Sequence, residues 1–545
     1  VSAPGRPERL DLAVAGGLFL GYLGLLLGSV RTLGYARDEG FYAHAASALE
    51  AWFDRIADTG GDAFTRASID HFWGPVHEHP GLMKLLMALS RRLLHDRWEL
   101  FSEAGTAYRL PGMLLSALAV GVVYLWGREA IGRVPGLVAA LLFAWMPHVF
   151  FHSHLACFDM AVASMWLVTS YVYFHAFVGG RFAAVLGAGV LYGLFLDTKH
   201  NAWIFPGALL LHLGAVRAVE KLRGLPRTGS RVPWPLLAVV ALGPLVLVAA
   251  WPWLWFDTGE RLRAWFEFHL GHDYYNMEFL GRTYFAPPMP RLYAWVMTLA
   301  TVPLITLSLF ALGLFDTGRS LLRSREPSRL AGDGLWLVGI AASYAPWLSS
   351  DTPIFGGTKH WITAYPFLCL LAGRGFALAC SRLTPLLPSR LLRPGLPEAA
   401  LASLCLVGPL VMTLGSHPWG LSFYAPLVGG APGAANLGLN RTFWGYTTGA
   451  VAKELNERAP PNAPVYVHDT ALQSWELLRS DGRIRRDLTG TLALASSRLA
   501  LYHHEPHMRR VEYETWVVYG TASPVVMGVY DGVPIVWVYE RPAAK

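Results

Sequence analysis

The chain is a succession of long apolar runs broken by short polar joints. Apolar runs of about 15–22 residues with few charges predict membrane-crossing helices, because a helix rises about 1.5 Å per residue and a bilayer core is about 30 Å thick. Candidate spans lie at 10–30, 106–126, 132–148, 157–177, 182–196, 202–217, 233–253, 292–315, 333–349, 361–380 and 399–414. That makes about eleven spans, with the run from Phe182 short for a full crossing. Beyond residue 415 the pattern changes. A helical stretch at 450–459 precedes strand-like runs at 464–468, 515–519, 524–529 and 534–539, with a turn signal at Asp531-Gly532. The expected organisation is a polytopic α-helical membrane portion over 1–415, with long loops at 31–105 and 255–291, and a small C-terminal α/β domain over 416–545.

Composition agrees with the pattern. Of 545 residues, 53% are hydrophobic and only 15% charged, which excludes a soluble globular class. The net charge of +7 is explained by where the basic residues fall. With Arg6 and Arg9 cytoplasmic, one side of the membrane collects Arg128 and Arg133, Arg181, then Arg217 to Arg231, Arg319 to Arg329, and finally Arg382, Arg390 and Arg393. Basic inner loops orient a multi-pass protein, so the long loops and the C-terminal domain are expected on the outer face of a cytoplasmic membrane. Membrane lipids are therefore partners, and no nucleic-acid surface is implied. The first apolar run is too long for a cleavable signal, and no small-residue site follows it. Cys157, Cys369, Cys380 and Cys405 fall in or beside spans, so no structural disulfide is expected.

Candidate chemistry gathers at the outer ends of the spans. Asp38 and Glu39 follow the first span in Tyr35-Ala36-Arg37-Asp38-Glu39-Gly40-Phe41-Tyr42, where incomplete solvation makes adjoining carboxylates costly. Asp38 has two readings: an N-cap for a helix starting at Glu39, or a base acting on a lipid-bound substrate. Lys84 closes His77-Glu78-His79-Pro80-Gly81-Leu82-Met83-Lys84, where it is either a snorkelling lysine or a phosphate ligand. Asp159 lies just inside an otherwise apolar span, a costly place that is usually functional. Lys199 and His200 sit in a polar knot, Asp197-Thr198-Lys199-His200-Asn201; Arg109 is one turn into the second span, and Lys359 and His360 precede the tenth.

Together the acids Asp38, Glu39 and Asp159 and the cations Lys84, Arg109, Lys199 and Lys359 are expected around one cavity. Tyr42, Glu78, His79, His200, His269 and His360 are its further lining. Acids that activate a hydroxyl, opposite cations that stabilise a departing phosphate, suit glycosyl transfer from a lipid phosphate. No P-loop or dinucleotide-binding glycine pattern occurs. Histidine is concentrated on the same side, as suits wet interfacial loops; the spacing of His71, His77 and His79 matches no zinc pattern.

These residues carry a resemblance. An acidic pair after the first span, then His79-Pro80-Gly81-Leu82-Met83-Lys84, resembles the protein O-mannosyltransferase family and its bacterial relatives, the aminoarabinose transferases among them, all glycosyltransferases of the GT-C fold. Asp159-Met160 resembles the family's second acid, Tyr108-Arg109-Leu110 its second-span arginine, and Asp197-Thr198-Lys199 its lysine loop. The segments from Phe279 to Tyr284 and from His417 to Tyr424 resemble a bacterial subgroup with an outer C-terminal domain. Phe41 and Gly81 depart from the aminoarabinose-transferase pattern, which counts against that donor sugar.

The resemblance implies a polyprenyl-phosphate sugar donor, carrying a mannose-like hexose or a pentose, and an acceptor hydroxyl on a lipid, glycan or protein. It implies Asp38 as the base of an inverting transfer. Glu39 and Asp159 would orient substrate or help to hold an optional divalent cation, Mg2+ or Mn2+, with Lys84, Arg109 and Lys199 on the lipid phosphate. No cofactor is required. Ligation of a larger glycan, and transport or flipping of a lipid-linked sugar, are the alternatives. A transporter should show ionisable groups at mid-span and a repeat between halves, and neither is visible.

Overall fold

The computed structural model describes residues 7–542 apart from 276, 355, 387, 389–392, 469 and 506–507. Arg6 and Arg390, counted among the inner cations, lie outside the described residues. Each of the eleven apolar runs is helical in whole or large part. Among the described residues, seven helices are long and apolar enough to cross a membrane: Arg9–Thr32, Ala104–Ile131, Phe158–Gly179, His200–Arg223, Leu304–Arg323, Ile362–Leu386 and Leu396–Ser416. The helices Arg133–Ala144 and Pro147–His154 form a pair bent by 65°, a broken span or a re-entrant loop, and two apolar helices, Phe182–Leu196 and Trp234–Ala250, are shorter.

Proline accounts for the breaks. Met146 before Pro147 is extended (φ −99°, ψ 117°), as the ring of a following proline demands. The run at 292–315 is likewise two helices, Tyr293–Thr301 and Leu304–Arg323, parted at Val302-Pro303, because Pro303 has no N–H to continue the ladder.

The Ala104–Ile131 helix is the central post, packed by Arg9–Ser29, Arg133–Ala144 and Phe158–Gly179. Small residues allow the closest crossings. A Cβ on Gly313 or Gly375 would strike the opposing backbone where Leu304–Arg323 meets Tyr365–Leu383, and one on Gly193 would strike Val246. Ion pairs bury the few charges among the helices: Asp333 with Arg374 at 2.5 Å, and Asp11 between Arg128 at 2.9 Å and Arg133 at 2.7 Å. Leu20, Leu210, Leu245 and Leu404 stay exposed, as lipid-facing side chains do. This is a membrane protein.

The loop expected at 31–105 is folded. It holds the helices Arg37–Thr59, Arg66–Trp73 and Leu82–Ser90, running on into a π-helical turn over Arg91–Arg97. The loop at 255–291 contains the Thr258–Leu270 helix and a hairpin of β1 (Met277–Phe279) and β2 (Arg282–Tyr284).

The C-terminal part contains a five-stranded sheet: β3 (Pro464–Tyr466), β4 (Thr489–Thr491), β5 (Leu499–His503), β6 (Val526–Tyr530) and β7 (Val533–Glu540), in the order β4-β3-β5-β7-β6. The β3 strand pairs parallel with β4 and β5, and β7 pairs antiparallel with β5 and β6. Positive φ at Asp531 (47°) and Gly532 (73°) makes the tight β6–β7 turn that the Asp-Gly pair predicts.

One expected strand is corrected. Residues 515–519 end the Arg509–Tyr519 helix. Their β-branched and aromatic composition suggested a strand, yet Val511, Thr515 and Tyr519 recur every fourth residue and turn one face inward. The Leu472–Ser480 helix and the strands β4 and β5 are additions to the expected elements.

Candidate active site at the ends of the spans

Asp38 lies in the first turn of the Arg37–Thr59 helix, whose N-cap is Ala36. The capping carboxylate is that of Glu39, which accepts the Ala36 N–H at 2.8 Å. Asp38 is thereby released from the capping role considered for it. Its side chain is 27% exposed, with the Lys359 ammonium 3.6 Å away.

Lys359 is held by the short turn Gly357–His360 before the Ile362–Leu386 span. Its neighbour Thr358 meets His148 Nδ1 at 2.9 Å. The ammonium sits over the Trp444 ring, 4.0 Å from its centre, a cation–π contact strengthened by desolvation. Burial draws the Lys359 pKa below the usual lysine range, against the opposing pull of Asp38 and then Asp159.

Asp159, in the first turn of Phe158–Gly179, pairs with Lys199 at 2.5 Å. Lys199 comes from the polar knot between Phe182–Leu196 and the turn His200–Ile204. Lys359 feels Asp38, Asp159 and Lys199 together, so two acids and two lysines form one cluster. Each acid has an ammonium against it. Tyr42 stacks on Phe158 with ring centres 4.1 Å apart, and its phenol pKa is pushed up by burial and then by the Asp38 and Asp159 carboxylates.

Two expected members stand apart. Arg109 and Glu39 are fully buried and grip each other: Nε to Oε1 at 2.7 Å and Nη2 to Oε2 at 2.8 Å. Arg109 also donates to the carbonyls of Val30, Leu33 and Gly34, at 3.1, 3.4 and 2.7 Å, and lies over the Tyr35 ring. Glu39 Oε1 accepts the Ala156 N–H at 2.8 Å. The pair staples the first loop to the second span and to the segment before Asp159.

Lys84 is turned inward as well. It donates to the carbonyls of Val76 and of His79, the latter at 2.6 Å, and burial lowers its pKa to about 7. Beside it Asp197 accepts the Gly81 N–H at 2.9 Å, and burial raises its pKa to about 8. Among the remaining lining residues, His79, His200 and His269 converge. His360 packs on Trp347, ring centres 4.6 Å apart, and Glu78 is exposed, its carbonyl accepting from His269 Nε2 at 3.0 Å.

The sequence reading missed two contributors. His152 is buried with both ring nitrogens unpartnered and lies within electrostatic reach of Asp159, Lys359 and Lys199. Trp444, from the C-terminal part, covers Lys359. Its backbone has φ 73°, a strained value for a tryptophan, and its carbonyl accepts the Arg37 N–H at 2.8 Å. The signal for His152 was its place seven residues before Asp159 in the same polar segment; nothing local distinguishes Trp444.

The C-terminal part also braces the acidic motif. Asp481 accepts the N–H groups of Ala104 at 2.9 Å and Gly105 at 3.2 Å, capping the central span against its positive N-terminal end. It also accepts from the Tyr35 hydroxyl. Ser474 donates to the Ala36 carbonyl at 2.9 Å, and a Cβ on Gly40 would overlap Ser474.

Residues 83–255 match the family model described as dolichyl-phosphate-mannose-protein mannosyltransferase. Among solved structures the chain is similar to ArnT from Cupriavidus metallidurans bound to undecaprenyl phosphate, with 15% identity over 97% of each chain and a TM-score of 0.47. It is similar to the Archaeoglobus fulgidus oligosaccharyltransferase AglB in complex with an inhibitory peptide and a dolichol-phosphate, with 13% identity over 94% of this chain and 72% of that one, TM-score 0.47. It is also similar to the arabinosyltransferase EmbB from Mycobacterium smegmatis, with 16% identity over 92% of this chain and 44% of that one, TM-score 0.39. No curated protein matches the chain. The matched segment contains Lys84, Arg109, Asp159 and Lys199, four of the residues on which the resemblance of the motifs rests.

Proposed function

We propose that the protein is a membrane glycosyltransferase that moves one sugar from a polyprenyl-phosphate donor to an acceptor hydroxyl on the outer face of a cytoplasmic membrane. The observation that carries this reading is the state of Asp38. Glu39 is closed in with Arg109 and Asp159 is buried against Lys199, while Asp38 is partly open and set beside a buried lysine.

In this reading Asp38 takes the proton of the acceptor hydroxyl. The acceptor oxygen attacks the anomeric carbon with inversion, and the carbon–oxygen bond to phosphate breaks. The lipid phosphate leaves with the bonding electrons and is stabilised by Lys359 and Lys199, desolvated donors whose charge acts most strongly where it builds up. Arg109 and Lys84 are given structural roles, because both are buried and turned to protein oxygens. No step passes through a divalent cation. The donor sugar is a mannose-like hexose or a pentose, and the acceptor a lipid, glycan or protein.

Asp38→Asn tests the assignment. With purified enzyme and a labelled polyprenyl-phosphate sugar, the variant keeps donor affinity and loses sugar transfer by at least about 100-fold, the usual contribution of a general base. Transfer at the wild-type rate would remove Asp38 from the mechanism.

A further inference from the structure

We propose that His79, His200 and His269 form a binding site for a divalent transition metal of the zinc type. The three come from distant segments: the turn before Leu82–Ser90, the turn after Lys199, and the last turn of Thr258–Leu270. One ring nitrogen from each lies within 4.8 Å of the other two. The His200 and His269 rings are stacked at 4.0 Å, and the His79 ring is 5.5 Å from that of His269.

The hydrogen bonds define which nitrogen is free. His269 Nε2 faces the Glu78 carbonyl at 3.0 Å. A carbonyl only accepts, so Nε2 carries the proton and Nδ1 presents a lone pair. That Nδ1 is buried without a partner, and so are Nδ1 of His79 and Nδ1 of His200. A ligating histidine characteristically donates its other ring N–H to a carbonyl, which fixes the tautomer. Each of the three rings thus has a buried nitrogen without a partner, which is costly alone and is satisfied by a metal ion.

Ligands at about 2.0–2.1 Å from a tetrahedral zinc lie about 3.3 Å apart, so the rings need to close by up to about 1.5 Å. Imidazole donors favour zinc-like ions over Mg2+ or Ca2+, which take oxygen. Lys199, next to His200 in the chain, is met by Asp159 at 2.5 Å. Trp203 and Trp265 pack on His269 at 5.6 and 6.0 Å, giving the dry surround that strengthens such a site. The metal would tie the Thr258–Leu270 helix to the turn that leads into the Lys84 helix and to the turn after Lys199.

The test uses the full-length protein in detergent, stripped with chelator and titrated with Co2+. Expected are one ion per chain, the visible absorption bands of a low-coordinate nitrogen site, displacement by Zn2+, and a Zn2+-induced rise in thermal midpoint. His200→Ala and His269→Ala each weaken binding by more than about tenfold, while the exposed His71→Ala leaves it unchanged. Wild-type protein that takes up no stoichiometric Co2+, or bands that persist in His200→Ala, would overturn the proposal. If the variants fail to fold, the wild-type spectrum and its Zn2+ response decide alone.

Discussion

At the scale of single residues, burial separates acids and cations that look alike along the chain. Asp38 and Glu39 are neighbours, yet only Glu39 is sealed in, with four hydrogen bonds from three residues on its two oxygens. Removing one member of such a buried pair strands the other charge. Arg109→Met should therefore cost about 3–5 kcal/mol, while Arg109→Met combined with Glu39→Met should recover much of it. Thermal unfolding of the three proteins checks this; a single variant of normal stability with lost donor affinity would return Arg109 to the phosphate. Lys84 offers a pH test. Its pKa falls from 10.5 to about 7 on folding, so between those values the unfolded chain binds a proton that the folded chain does not, and stability rises with pH across that window. Lys84→Met should abolish that rise in a series of thermal midpoints.

At the scale of elements, apolar length was readable directly, because a helix satisfies its own backbone hydrogen bonds and so can place an apolar run in lipid. Breaks were less legible. Pro147 and Pro303 end helices inside runs that hydropathy alone joins. In the tail, residues 515–519 have strand-like composition but are helical, since the inward face of Arg509–Tyr519 is completed by the sheet beneath it. Close approaches between elements were invisible. Gly40 lies against Ser474 in the Leu472–Ser480 helix, where a methyl group has no room. Gly40→Ala should destabilise by about 1–3 kcal/mol and lower turnover by shifting the turn that carries Asp38. Wild-type melting and turnover would show that the two helices can part.

At the scale of the whole molecule, the distribution of basic residues makes one prediction about sidedness. Asp62, exposed in the first loop, should react as Asp62→Cys with a membrane-impermeant maleimide added to intact cells; the four native cysteines are buried free thiols and stay silent. Labelling only after permeabilisation would invert the topology.

The sequence by itself determined that the chain lives in a membrane, where its runs lie, and which ionisable residues stand at their ends. Those properties follow from local hydrophobicity and charge. Only the tertiary structure decided which of those residues meet. Lys359 reaches Asp38 across more than three hundred residues, Trp444 covers it from the C-terminal part, and Asp481 caps the central span. Partnership sorts an exposed acid from a sealed one, and partners distant in the chain leave no mark on the local pattern.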